Sequence, residues 1–267
     1  MNNKPLFSVT LIICSIFWLS SCSAIKEGFA STKTPKGFTL FDTNINIESK
    51  SEEQFAGEIQ RIFPSLIDSI EMKLNSKFKY IPTLFICNTN ESFCKWSGAK
   101  LPGPRAKVTA KGFFISPRLQ GKNDWSEIIY HELVHTLMFQ YLGMYQYYTI
   151  PIWFHEGLAT FVSNGGGTGD ISDSVAIDEI LKGNHFYPHS GFIKSYFNNN
   201  HLAPWIEYRQ YMLFVNFMRD NKEREFNELL QAILAKNSFS KSYKVAYGKN
   251  TNDIWNQFIE HIKSRKT

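Results

Sequence analysis

The chain has 267 residues, 43% of them hydrophobic and 15% aromatic, with a formal charge of +5. At roughly 100–200 residues per domain this suggests one or two domains, and the apolar content supports a packed core, which excludes a wholly disordered chain. No run of five Lys/Arg occurs, so nucleic-acid binding has no footprint here, and only weak attraction to an anionic surface remains.

Residues 1–21 predict a secretory signal, with Lys4 as the positive region and a mostly apolar run from Leu6 to Leu19 that takes Cys14 with it. That run is short of the about 20 residues of a membrane span. It ends in Leu19-Ser20-Ser21-Cys22, which resembles the lipobox of bacterial lipoproteins. The resemblance implies that Cys22 becomes the lipid-modified first residue, anchoring the chain to a membrane rather than through it. The alternative is an ordinary signal cleaved near Ala24. Ser23, in place of Asp, favours the outer membrane by the same resemblance. The expected location is the cell envelope, on the periplasmic face of the outer membrane or at the cell surface. Residues 22–37 are largely small, polar or charged and predict a tether.

Phe38 to Ile47 predicts a first strand, and Ser51 to Leu74 a helix with a kink or break at Pro64. Tyr80 to Cys87 predicts a strand, Lys95 to Pro104 a loop, and Val108 to Ser116 a second strand stopped by Pro117. Cys87 and Cys94 remain after the leader. In an oxidising compartment they could form a short-loop disulfide, or they are two small buried thiols. No second Cys/His pair accompanies them, so a cysteine metal site is not expected.

After a turn at Gly121-Lys122-Asn123, Asp124 and Glu127 have the spacing of a capping box. The helix they open is predicted over Trp125 to Leu142, with Ile129, Leu133, Leu137 and Tyr141 inward and Gly143 as its stop. An aromatic-rich connection, Met144 to Ile152, leads to a second helix that ends at Asn164-Gly165-Gly166-Gly167. That glycine run lacks the Gly-Lys-Ser/Thr of a phosphate loop and reads as a helix stop or a flexible lid. A helix is predicted over Asp170 to Lys182, then an irregular stretch from Gly183 to Pro204. Helices over Trp205–Asp220, Lys222–Lys236, Ser240–Ala246 and Thr251–Lys263 complete the chain.

The first of the two central helices carries His131-Glu132-Leu133-Val134-His135. Residues four apart share a helix face, so both imidazoles can bind one ion. Glu132, beside the first ligand, can take a proton from a metal-activated water and pass it to a leaving amine. The second helix offers Glu156 and its neighbour His155. About 100° apart, only one of these should face the ion.

HELVH followed by Pro-x-Trp-Phe-x-Glu-Gly-Leu-Ala resembles the gluzincin metallopeptidases, the thermolysin-like clan, and most of all the peptidase MA-like domains. The likeness covers about Glu127 to Ser163 and extends loosely from Tyr208 through Asn250. It implies an α+β fold in which residues 38–164 form a zincin-like lobe with a small mixed sheet, followed by a mostly α-helical lobe over 165–267. It implies that His131, His135 and Glu156 ligate one zinc ion per chain and that Glu132 is the general base. It also implies that the strand near Lys111 to Ser116 edges the cleft and takes substrate main chain by strand addition. Met138 and Tyr141 stand where a metzincin has its Gly and third His. Many relatives carry a carboxylate four residues after the ligand Glu, where this chain has Thr160. Tyr208 aligns loosely with an oxyanion-stabilising Tyr, with Tyr211 and His201 as alternatives; His185, His189 and His261 read as surface or loop residues. The implied activity is hydrolysis of a peptide or protein substrate at the cell envelope. Two alternatives are a catalytically inactive zincin-fold lipoprotein that binds a partner, and an amidase acting on a cell-wall component.

Overall fold

The computed structural model describes residues 34–189 and 202–266, so the leader, Cys22 and His201 lie outside the described residues. The chain is mixed α+β and divides into two compact units, one of residues up to 53 with 83–119, the other of 54–82 with residues from 120 onward. The sheet and the two central helices, expected in one lobe over 38–164, thus fall in different units.

The first unit is built on a five-stranded mixed sheet. Phe38 to Ile47, expected as one strand, is a hairpin of β1 (Thr39–Asp42) and β2 (Ile45–Ile47). β3 (Leu84–Ile86) pairs parallel to β2, and β5 (Gly112–Ile115) pairs parallel to β3. Val108 to Ser116 is also a hairpin rather than one strand, with β4 (Ala106–Thr109) antiparallel to β5. The Thr109 side chain closes its two-residue turn, accepting from the Lys111 N–H at 3.1 Å and donating to the Gly112 carbonyl at 3.2 Å. The strand order β1-β2-β3-β5-β4 corrects the expected role of Lys111 to Ser116. β5 is hydrogen-bonded on both sides and has no edge left for a substrate strand; β4 holds the edge.

A helix unforeseen in the sequence, α2 (Asn90–Ser97), follows β3. Its Thr89 cap accepts from the Ser92 N–H, and Gly98 closes its other end. It brings Phe93 and Trp96 into one apolar cluster with Cys87, Phe114 and Cys94. The two cysteines are free thiols, so the disulfide between Cys87 and Cys94 is not formed. Burial pushes the Cys87 thiol far up and keeps it protonated.

The second unit is helical. Of the kink or break expected at Pro64, the break does not occur: α1 (Glu53–Leu74) runs through it as one helix. Pro64 and Gln60 are both exposed, so water can satisfy the carbonyl that the proline leaves unbonded. α3 (Trp125–Tyr147) carries the HExxH residues. Its capping box is not formed: Asp124 makes no side-chain cap, and Glu127 accepts from Ser126 Oγ at 2.9 Å instead. Gly143 stops the regular helix as expected. At φ 69° and ψ 173° it breaks the backbone, and the chain resumes a helical turn through Tyr147.

α4 (Ile152–Val162) is buried almost all round, the signature of a helix surrounded by others. Trp153 packs among Phe186, Phe214 and Phe239. The Lys73 ammonium of α1 donates to the Val162 carbonyl at 2.7 Å and so caps the end of α4. α5 (Asp173–Leu181), α6 (Pro204–Asn221), α7 (Glu223–Leu234), α8 (Phe239–Tyr247) and α9 (Thr251–Lys266) follow, close to the expected spans. α6 lies directly against α4 at Gly157. A Cβ there would come within 2.8 Å of the Tyr211 carbonyl oxygen, so glycine permits the close approach.

Candidate metal centre

Between Ile129 and Leu142 α3 is buried on almost every face, and His131 and His135 are carried inside with it. Their rings meet edge to face at 4.7 Å, and the two Nε2 atoms are 3.0 Å apart. From α4, Glu156 Oε2 reaches to 3.2 Å from His131 Nε2 and 3.5 Å from His135 Nε2. The donors of a tetrahedral ion at about 2.0–2.2 Å stand roughly 3.3–3.5 Å from one another. The separations among His131, His135 and Glu156, 3.0, 3.2 and 3.5 Å, lie close to that spacing, two of them slightly short of it, and the group could hold a metal ion. Burial by itself would raise the Glu156 carboxyl, but His135 and His131 outweigh it and hold the group well below the usual carboxylate range.

His155, the rival ligand, is outside this set. It is buried with Nδ1 3.3 Å from Tyr147 Oη and 3.4 Å from Glu156 Oε1. Burial lowers its pKa to about 4, with His135 and His131 acting in the same direction against Glu156, so the ring is neutral near pH 7.

Behind the two imidazoles stand hydroxyls. Thr160 Oγ1 lies 3.5 Å from His131 Nδ1, one helical turn after Glu156. The Thr160 hydroxyl thus faces the ring nitrogen of His131 that points away from Glu156. Tyr147 Oη lies 2.9 Å from His135 Nδ1. Nothing in the sequence period marks Tyr147, because it follows the break at Gly143. Only the aromatic richness of Met144 to Ile152 pointed to that stretch.

Tyr208 of α6 lies flat beside His131, the ring planes 3° apart and the centroids 6.2 Å apart. The Glu156 charge, burial and then Glu132 hold its phenol well above its ordinary pKa, so it stays a donor. Burial first, then Glu156 and Glu132, do the same for Tyr147. Tyr211 stacks behind Tyr208 with ring centroids 6.0 Å apart. Glu132 is only half-buried, in contrast to the two histidines that flank it.

The glycine run after α4 is more than a stop. A Cβ on Gly167 would lie 3.3 Å from the Tyr208 ring and 3.5 Å from the His131 ring, and one on Gly166 would meet the Glu127 carbonyl oxygen at 2.4 Å. These residues pack against the site, which argues against the reading of a flexible lid. A separate cavity of about 500 Å³ between α5, α6 and α9 is lined by residues such as Leu213, Phe217, Phe258 and Ile262, and by none of the ligand set. His261 lines that cavity and His185 packs on Trp255, so neither joins the donors. The chain matches no protein-family model and no curated protein.

Proposed function

We propose that this chain is a zinc metallopeptidase of gluzincin type, with a zincin-like active site anchored at the cell envelope. The observation that carries the reading is the convergence of His131 Nε2, His135 Nε2 and Glu156 Oε2 within one buried group. Two imidazoles and one carboxylate are the donor set of a catalytic zinc site with an open position, whereas magnesium and calcium prefer all-oxygen sites. Zinc bound there supplies Lewis acidity and lowers the pKa of a water at the site towards about 7.

The chain's own residues do the rest. Glu132 accepts a proton from the attacking water and delivers it to the leaving amine. Tyr208, held protonated beside His131, donates to the oxygen that gains negative charge. Thr160 and Tyr147 keep the ligand rings in orientation. The inactive-scaffold alternative drew its support from Thr160, and that support weakens with the Thr160 hydroxyl near His131 Nδ1. Anchoring rests on the leader and Cys22; among the described residues no helix is long and apolar enough to cross a membrane.

The test is a peptide-library digest with metal analysis of wild type and Glu132→Gln. Expected are near one zinc per chain in both proteins, and hydrolysis in wild type alone. Equal hydrolysis by both would sink the mechanism. Zinc without hydrolysis of any peptide points to the binding-module alternative, and cleavage confined to wall fragments points to the amidase.

A further inference from the structure

We infer that Tyr147 is a positioning residue for the ligand set, and that it works with His155 in a proton chain of one fixed direction. The inference rests on the metal-site reading above. His135 turns Nε2 towards His131 and Glu156. An imidazole that offers its Nε2 lone pair to an ion carries its proton on Nδ1. The group facing that Nδ1 is Tyr147 Oη at 2.9 Å, so the tyrosine oxygen must accept. Tyr147 is itself buried, so its own O–H requires an acceptor. His155 Nδ1, at 3.3 Å, is that acceptor. The order is then His135 Nδ1–H to Tyr147 Oη, and Tyr147 O–H to His155 Nδ1. It places the His155 proton on Nε2. It also leaves His155 unable to donate from Nδ1 to Glu156 Oε1, despite their 3.4 Å separation.

The break at Gly143 makes this contact possible. Tyr147 lies 12 residues after His135. Along an unbroken helix that spacing is about 18 Å, far beyond hydrogen-bond reach. With Gly143 at ψ 173° the chain folds back, and the tyrosine returns to the ring it would otherwise leave behind. His155 explains itself in the same way: it is a buried histidine next to a ligand, in neither the donor set nor the solvent, because it terminates the chain from Tyr147.

The test uses full-length protein and zinc affinity by chelator competition, with cobalt absorption as a second readout. Tyr147→Phe is expected to weaken zinc about 10- to 100-fold and to alter the cobalt spectrum. His155→Phe should weaken zinc through the same route, so the double variant should bind about as poorly as Tyr147→Phe alone. In zinc-loaded wild type, 15N imidazole shifts should report His135 protonated at Nδ1 and His155 at Nε2; this reading stands even if the variants fold poorly. Wild-type affinity in Tyr147→Phe, multiplied losses in the double variant, or an Nδ1–H tautomer of His155 would overturn the chain alone. Wild type that binds neither zinc nor cobalt overturns the metal-site reading and this inference with it.

Discussion

Tyr208 and Thr160 touch the same histidine from different elements and are expected to fail differently. In the proposed mechanism Tyr208 offers a proton to charge that develops during reaction, so Tyr208→Phe should lower kcat by about 10²- to 10³-fold while zinc affinity changes far less. Steady-state kinetics beside a zinc titration separates the two effects; a loss of zinc as large as the loss of kcat would make Tyr208 a structural support instead. Thr160 acts through His131, and its 3.5 Å contact is at the long limit of a hydrogen bond. Thr160→Val should therefore weaken zinc by about 10-fold, the low end of such supporting contacts, with little change in kcat once zinc saturates. Unaltered zinc affinity would show that the hydroxyl orients nothing.

At the scale of elements, the contact of α4 with α6 fixes the site, because one helix carries Glu156 and the other Tyr208. Gly157 sets how close they come. Gly157→Ala brings a Cβ to 2.8 Å from the Tyr211 carbonyl oxygen, and should cost about 1–3 kcal/mol in urea unfolding while also lowering hydrolysis. Gly57 on α1 is the control, since a Cβ there meets nothing within 4 Å. Gly57→Ala should stabilise by about 0.4–1 kcal/mol and leave activity alone. Equal behaviour of the two variants would remove the close-packing account. The helices here were legible from their period and stops, Gly143 included. The strand expected over Tyr80 to Cys87 holds β3, but the other two were hairpins read as single strands, because each turn is only two residues long, Thr43-Asn44 or Ala110-Lys111, without the Asn-Gly or Asp-Gly pair that marks such turns. α2 was hidden by its brevity and by the cysteines, although Thr89 and Gly98 mark both its ends.

For the whole molecule, an ion held by buried residues from both α3 and α4 should stabilise the folded state. Zinc at a hundredfold its Kd would add about 2.7 kcal/mol. Chelation should lower the thermal midpoint, and readdition of zinc should restore it in proportion to the logarithm of its concentration; a midpoint indifferent to zinc would contradict the site. Placement is testable separately: Cys22→Ala should move the protein from the membrane to the soluble fraction, and unchanged fractionation would rule out the lipid anchor. The sequence by itself determined which residues could bind an ion, because a spacing of four on a helix puts His131 and His135 on one face whatever surrounds them. It also marked Glu156 and the departure at Thr160. Only the tertiary structure decided that Glu156 Oε2 meets both Nε2 atoms, that Thr160 and Tyr147 stand behind the rings, and that β5 lies inside the sheet. Those contacts join groups that are not neighbours in a helical or strand period, His135 with Tyr147 across 12 residues and the turn at Gly143, and His131 with Thr160 across 29, and local periodicity carries no record of them.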